Sequence, residues 1–405
     1  MTVKVLLVTT VRWPSAGRLA GAFAATGCTV DALLPTGHPA SRSRYFERVY
    51  AYRPLGGVSS FLDAAERSHS DAVLALDDRA TALLLRAHER APDHIAALIG
   101  QSLGCTKNYA QLMSRNGFIE AAHQADIRTP LTCAIENEND LEGAIRRIGF
   151  PAVLKADGTW GGDGVVVVHD RDEARLAWRR LSSPPSLLRS VVRAMRRSDA
   201  HFLRSVLDGE APAVSMQQFI AGRPATTSFA CWQGKLLAAN HLETLAAQEA
   251  NGPASVLRRL ESEEMDQAAS RLAAHFGLSG LHGLDYVRDD QGQAHLIEIN
   301  PRSPQTSYLS FGAGHDLVSA LAARVDGHAR PPRPRVAGDV VALFPQEWMR
   351  DPASPYLTNA FHDVPWDDPA LIRAWMESQQ ARPALEKWRA FMASTPQGAS
   401  LAAQS

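Results

Sequence analysis

Lysine is scarce in this chain: Lys4, Lys107, Lys155, Lys235 and Lys387 are the five present among 405 residues, so nearly all the positive charge is arginine. A lysine inside a motif therefore carries more weight than an arginine. Net charge is nearly absent as well, -1 from 42 basic and 43 acidic residues, which leaves no long-range attraction for nucleic acid or an anionic membrane. Cysteine is sparse too. Cys28, Cys105, Cys133 and Cys231 are far apart and form no CxxC, which excludes the usual zinc spacings and a disulfide framework and makes the cytoplasm the simplest compartment. No apolar run approaches the roughly 20 residues a membrane helix needs. The chain's start runs straight into a strand pattern, without the cleavage site of a signal peptide. Two nucleotide signatures are also missing: there is no GxxxxGK[ST], and the first strand-to-helix turn, residues 10–17, has no GxGxxG.

What is there divides into lobes, since 405 residues exceed what one hydrophobic core usually organises. Residues 3–9, 30–34 and 72–76 read as buried parallel strands, with helical stretches at 17–26 and after 76, the rhythm of a Rossmann-like lobe. Asp77 and Asp78 stand at a strand's carboxyl end, where solvated loop residues outnumber substrate contacts. A helix is expected over 114–125, strands over 150–154, 215–220, 227–232 and 236–240, and a helix over 263–276 stopped by Gly277. The stretch from Pro184 with arginines 189, 193, 196, 197 and 204 reads as a helical excursion with a solvated basic face. Pro331-Pro332-Arg333-Pro334 marks a boundary, and the small polar residues from Pro396 onward read as a disordered tail.

Chemistry concentrates in residues 285–302. Asp285-Tyr286-Val287-Arg288 and His295-Leu296-Ile297-Glu298-Ile299-Asn300 flank Asp289-Asp290-Gln291-Gly292-Gln293, a natural hairpin turn. If Asp285 faces Glu298, the turn centre falls between Gln291 and Gly292, where the turn formers are. Strand alternation then puts Glu298, Asn300 and Arg302 on one face and Ile297 and Ile299 in the core, provided the strand runs through Pro301. Two carboxylates about 5 Å apart repel by roughly 3 kcal/mol at an effective dielectric near 20. A fold gains from that placement only with a cation between them, and magnesium, which takes one or two carboxylates and leaves positions for phosphate oxygens, is the natural candidate. Asn300 can add an oxygen, and Arg302 can pair with a transferring phosphate.

A second element is Lys155, closing the apolar strand 150–154, followed by Gly158, Gly161, Gly162 and Gly164. The lysine can hold phosphate oxygens and the glycines let backbone N–H groups approach a triphosphate. A third, residues 214–222, is a strand that turns polar and stops at Gly222; its backbone and amides could serve an adenine.

In this order, these elements resemble the ATP-grasp superfamily over roughly residues 1–330, most specifically at Asp285, Glu298, Asn300 and Arg302. The resemblance implies an α/β (α+β) architecture: a Rossmann-like lobe over 1–112, an ATP-grasp domain over 113–330 with a small mobile lid at about 150–215, and a C-terminal extension over 331–405. It implies ATP and magnesium or manganese as cofactors, with Asp285, Glu298 and Asn300 as metal ligands and Arg302 as the catalytic residue. Lys155, Gly161, Gly162, Gly164, Gln217 and Ile220 resemble the family's ATP contacts, although the family usually has an acid where Gln217 stands. The family's other nucleotide lysine maps to Arg115, with Lys107 as runner-up. Biotin carboxylases in the superfamily carry a glutamate shortly after this run as bicarbonate base, whereas this chain reads Ser303-Pro304-Gln305-Thr306-Ser307. There is no biotinyl-lysine motif and no second ATP-grasp half. The activity implied is therefore ligation of a small carboxylic acid to an amine or thiol through an acyl phosphate. A kinase-like phosphotransferase and a non-catalytic ATP-binding module stay open as alternatives. The C-terminal stretch around 344–369 covers the cleft or forms a homodimer contact, and His241, Glu243 and Thr244 are more readily structural than cleft-facing.

Overall fold

The computed structural model describes residues 2–157, 164–183, 212–249 and 252–380. The expectations for Gly161 and Gly162, the arginine-rich excursion after 184 and the polar tail lie outside the described residues. Strand β1 (Lys4–Val8) is one of two inner strands of a parallel sheet ordered β3-β2-β1-β4, with β2 (Thr29–Pro35), β3 (Arg48–Tyr52) and β4 (Ala72–Ala75). Its Leu6 and Val8 enter one core while Val5 and Leu7 enter another, which is why it reads as an unbroken apolar run rather than an alternating one.

A seven-stranded sheet follows, ordered β13-β12-β9-β10-β11-β14-β15. It comprises β9 (Arg223–Trp232), β10 (Lys235–Ala247), β11 (Ala254–Leu260), β12 (Gly280–Arg288), β13 (Ala294–Asn300), β14 (Val340–Leu343) and β15 (Phe361–Asp363). Helix Glu263–Phe276 packs on one face. It begins where the Ser262 side chain accepts from the Met265 amide, has Glu263, Glu264 and Asp266 against its positive end, and stops at Gly277 in the left-handed region at φ 64°. The other face carries helix Leu317–Asp326. Both of this sheet's cores are continuous with those of the parallel sheet, so the two are fused rather than hinged. The segment after Arg330 also joins this body: β14 pairs antiparallel with β11, and β15 runs parallel beside β14.

The third sheet is ordered β5-β8-β6-β7, from β5 (Thr132–Ile135), β6 (Ala152–Ala156), β7 (Val165–Val168) and β8 (Val214–Gln218). Its core is its own, built on Leu154, Val168, Val214, Met216 and the helices Glu138–Ile148 and Arg171–Leu181. It begins at β5, upstream of the lid start expected near 150, because β5 pairs directly with β8. Among the described residues, no helix is long and apolar enough to cross a membrane.

Candidate active site

The hairpin β12–β13 places Asp285 opposite Glu298, Leu284 opposite Ile299 and Gly283 opposite Asn300. Beyond Asp285 the register shifts by one residue, so that Tyr286 faces Leu296 and Ile297 is the extra residue of a bulge. This corrects the expected alternation. Ala294 and Leu296 enter the core before the bulge and Ile299 enters it after, while Ile297 is only half-buried. The bulge changes the strand's phase, and that change is what turns Glu298 and Asn300 away from the core although they share parity with Leu296.

Asp285 and Glu298 thus form one acidic pair at a sheet edge. Asn300 donates from Nδ2 to Asp285 Oδ2 at 2.7 Å. Burial, and then the charge of Glu298, push the Asp285 carboxyl above its ordinary range, against hydrogen bonds from Asn300 and Thr226. The strand ends at Asn300 instead of running through Pro301, whose fixed ring and missing N–H do not continue a ladder. Arg302 still reaches the cluster, because the chain bends: its Nη2 donates to Asn300 Oδ1 at 2.8 Å and its Nε to Asp78 Oδ2 at 3.4 Å. Burial works against the guanidinium's charge, but Asp78, Asp285 and Asp77 more than offset that.

From the small sheet comes Lys155, 7% exposed, which lies inside β6 between Ser215 and Val165 rather than closing the strand. Burial lowers its pKa to about 8, with Arg115 adding to the fall and Glu298 and Asp285 opposing it. Arg115 opens the helix Arg115–Gln124, whose N-cap Ser114 accepts from the Gly117 amide. Its guanidinium bridges the two bodies, donating to the Ala156 carbonyl and to Glu298 Oε1 at 3.3 Å, with Asp157 Oδ1 at 3.8 Å. Lys107 is instead exposed on the turn Thr106–Asn108. Asp157 received no role from the sequence. Burial pushes its carboxyl up while Arg115 opposes, and its place two residues after Lys155 was the signal available.

Gly164 has φ +82°, and its carbonyl accepts from the Ala156 amide at 2.9 Å, closing the base of the glycine-rich loop. Gln217 is buried, with Nε2 donating to Thr132 Oγ1 at 3.0 Å, and its strand is paired on both sides. Its side chain is therefore engaged within the small sheet, and strand β8 ends at Gln218, before the half-buried Ile220. At Gly222 any Cβ would fall 2.0 Å from the Arg288 carbonyl oxygen, so only glycine lets the chain cross from the small sheet to β9.

Other polar residues turn out structural. Asp77 caps helix Asp78–His88 and takes hydrogen bonds from Thr9 and Thr10. His241 lies between Thr227 Oγ1, at 2.8 Å, and Asp266 Oδ1, at 3.0 Å, and Glu243 is surrounded by Arg223, Arg258 and Arg288. Thr306, in the segment where an acid is lacking, is buried and bonded to Ser228.

The donor set suits a hard divalent cation. It consists of oxygen ligands from two carboxylates that face each other, with Arg115 beside Glu298, and the Asn300 amide alongside, whose oxygen here accepts from Arg302. Among the described residues no group of three or more His, Cys, Asp or Glu side chains could hold a metal; a magnesium ion held by one or two carboxylates keeps its other positions for water and phosphate oxygens.

A family model for the ATP-grasp domain matches residues 119–307. D-alanine–D-alanine ligase B of Pseudomonas syringae pv. tomato is 26% identical over 199 residues, 49% of this chain and 54% of that protein. The chain therefore spans about half the length of that relative. Among solved structures, the biotin carboxylase of Campylobacter jejuni in its β-γ-ATP complex superposes with a TM-score of 0.58 at 14% identity, over 81% of this chain and 72% of that one. The L-amino acid ligase of Bacillus licheniformis gives 0.55 at 17% identity, over 82% and 79%. At such identities these two likenesses show a shared fold.

Proposed function

Since the chain belongs to the ATP-grasp superfamily, we propose that it is a magnesium- and ATP-dependent ligase that joins a small carboxylic acid to an amine or thiol. The observation that carries this reading is the facing pair Asp285 and Glu298, with Lys155 brought against it from the small sheet and Arg115 from the start of the helix Arg115–Gln124. Asp285, Glu298 and Asn300 would hold magnesium, which when bound supplies charge neutralisation for the phosphates. Lys155 would hold phosphate oxygens and Arg115 would leave Glu298 for the nucleotide. The backbone around Gly164, Gln217 and Ile220 would border the triphosphate and the base. Arg302, anchored by Asp78, would hold the reacting carboxylate and the transferring phosphoryl group together, the kind of positioning that phosphoryl transfer chiefly needs.

In the first step a carboxylate oxygen attacks the γ-phosphorus and ADP departs, leaving an acyl phosphate. In the second the nucleophile attacks the acyl carbon, phosphate leaves with the bonding pair, and the nucleophile loses a proton. The lack of an acid in 303–307 and the closure of Thr306 against Ser228 favour a carboxylic acid over bicarbonate as the group that is phosphorylated. Likeness to the D-alanine–D-alanine and L-amino acid ligases agrees with carbon–nitrogen bond formation.

The test is ADP release by purified protein with magnesium-ATP against a panel of carboxylic acids crossed with amines and thiols. The expected result is ADP and phosphate in step with a new amide or thioester. ADP release from no pair, or an undiminished rate in Glu298→Ala, would sink the reading. A stable phosphorylated product without ligation would reassign the chain as a phosphotransferase.

A further inference from the structure

Asp363 is 1% exposed on β15, at the edge of the central sheet farthest along from the hairpin. Its two oxygens serve different parts of the chain. Oδ1 accepts from Arg18 Nη2, on the helix Ser15–Ala24 of the N-terminal lobe. Oδ2 accepts from the hydroxyl of Tyr308, six residues after Arg302. The Arg18 guanidinium also lies over the Tyr308 ring, 4.8 Å from its centroid, and the Tyr308 carbonyl accepts from Arg333 Nη2 at 2.9 Å.

The segment that Tyr308 anchors is the one that carries Arg302. At its start it is tied to the N-terminal lobe: the Pro301 carbonyl accepts from Thr81 Oγ1 at 2.8 Å, the Ser303 amide donates to the Ala75 carbonyl at 2.9 Å, and Arg302 pairs with Asp78. At its far end it packs in a core shared with that lobe, and its polar ties there converge on Arg18, which meets Tyr308 both directly and through Asp363. A carboxylate here is not needed merely to dock the C-terminal residues. Leu371 already packs against Gly17, and Ser43 Oγ donates to Asp368 Oδ2 at 2.5 Å. A buried ion pair gives little net stability over apolar packing of the same shape, whereas a carboxylate with both oxygens committed fixes direction as well as distance.

We propose that Asp363 is a positioning residue of the site: shared between Arg18 and Tyr308, it fixes the segment 301–311 against the N-terminal lobe and so sets where the Arg302 guanidinium stands. The inference rests on the ligase reading. Loss of the clamp lets Arg302 drift relative to the hairpin, which slows transfer without weakening nucleotide binding, since neither Arg18 nor Tyr308 contacts Lys155, Arg115, Asp285 or Glu298.

The experiment compares full-length wild type with Asp363→Asn, Tyr308→Phe and the double variant Arg18→Met/Asp363→Leu, using the carboxylate and amine pair that gives ADP release. For Asp363→Asn and the double variant, kcat should fall about tenfold, with the KM for ATP within about twofold. Tyr308→Phe should lose about threefold. The double variant exchanges the ion pair for apolar contact but leaves the buried Tyr308 hydroxyl without that acceptor, so it should melt somewhat below wild type while staying folded at assay temperature. Wild-type kcat in a stably folded double variant would overturn the positioning role, as would a rise in the KM for ATP at unchanged kcat. Absence of ADP release from wild type itself would overturn the ligase reading instead, and this inference with it.

Discussion

Two acids in this protein, Asp316 and Asp285, are built in opposite ways. Asp316 caps the helix Leu317–Asp326 and is 3% exposed. Its oxygens accept from the Ser319 amide at 3.2 Å, Ser319 Oγ at 2.6 Å, the Arg333 amide at 2.6 Å and Arg333 Nη2 at 2.8 Å. Burial alone would raise its pKa, but Arg333 and Ser319 outweigh it and hold the carboxyl below the ordinary range. Asp285 is half-buried, bonded by Asn300 and Thr226, and faces a second acid, so its carboxyl is pushed up. A fold neutralises the charges it needs for itself. An acid left facing another acid, where the same fold shows it can do better, is what the proposed cation site requires.

The comparison is tested hardest by removing charge at each place. Glu298→Gln should lower ADP release on the order of 10²-fold, while leaving the metal-free protein within about 1 kcal/mol of wild type at pH 7, since relief of the repulsion with Asp285 is offset by the lost pairing with Arg115. The relieved repulsion should fade from that balance as pH falls through the raised Asp285 value, because the protonated carboxyl is not repelled. Calorimetry of the two proteins at pH 7 and about pH 4 reads both effects, and a large loss of stability in Glu298→Gln would break the contrast.

Asp316→Asn should do the reverse. Leaving the Arg333 guanidinium, 12% exposed, without its partner should cost about 3 kcal/mol, while kcat per folded molecule stays within about twofold. The sign of the pH effect is also opposite. With its folded pKa depressed, Asp316 contributes stability above the ordinary carboxyl value of about 3.9, and that stability is lost as pH falls through the folded value. Equal denaturation midpoints for wild type and Asp316→Asn at pH 7 would remove the structural half of the comparison.

Magnesium supplies a third and smaller effect. At tenfold excess over its Kd, Mg2+ with ADP should stabilise wild type by about 1.4 kcal/mol, read as a shift in melting temperature, and should do so far less in Glu298→Gln. Equal shifts would separate the acidic pair from metal binding.

Much of this contrast was legible in the sequence. The spacing of Asp285, the turn formers and Glu298 located the pair, and the observed register agrees with that arithmetic up to Asp285. The helix Glu263–Phe276 is found at its expected bounds because both its ends are marked by local chemistry, Ser262 and Gly277. Two things were hidden. The bulge at Ile297 obeys no local propensity; it is set by packing that requires Leu296 and Ile299, three apart, to enter one core. The partners Asp78 and Asp363 lie 224 residues before Arg302 and 55 after Tyr308, and nothing in a single sequence records such pairings. The C-terminal residues read as an extension after a proline-rich boundary, and β14 and β15 extend the central sheet from there, since strands of four and three residues give too short a pattern to reveal their neighbours.

Lys155 offers the finest test, because it belongs to neither acid yet feels both charges of the hairpin. Burial brings its pKa to about 8, so near neutral pH part of the population carries no charge to hold a phosphate. For a group that must be protonated to bind nucleotide, kcat/KM for ATP is constant below that value and declines above it, since this parameter reports the free enzyme. Between pH 7 and 8 the decline should be about twofold, and a further unit should cost about fivefold more. Arginine stays charged throughout this range. Lys155→Arg should therefore flatten the profile, whatever its absolute rate, and a decline of unchanged midpoint would trace the titration to a different group. If Glu298→Gln moves the wild-type midpoint downward, the acidic pair and the lysine share one electrostatic site, for Glu298 is the stronger of the two negative charges that keep Lys155 protonated.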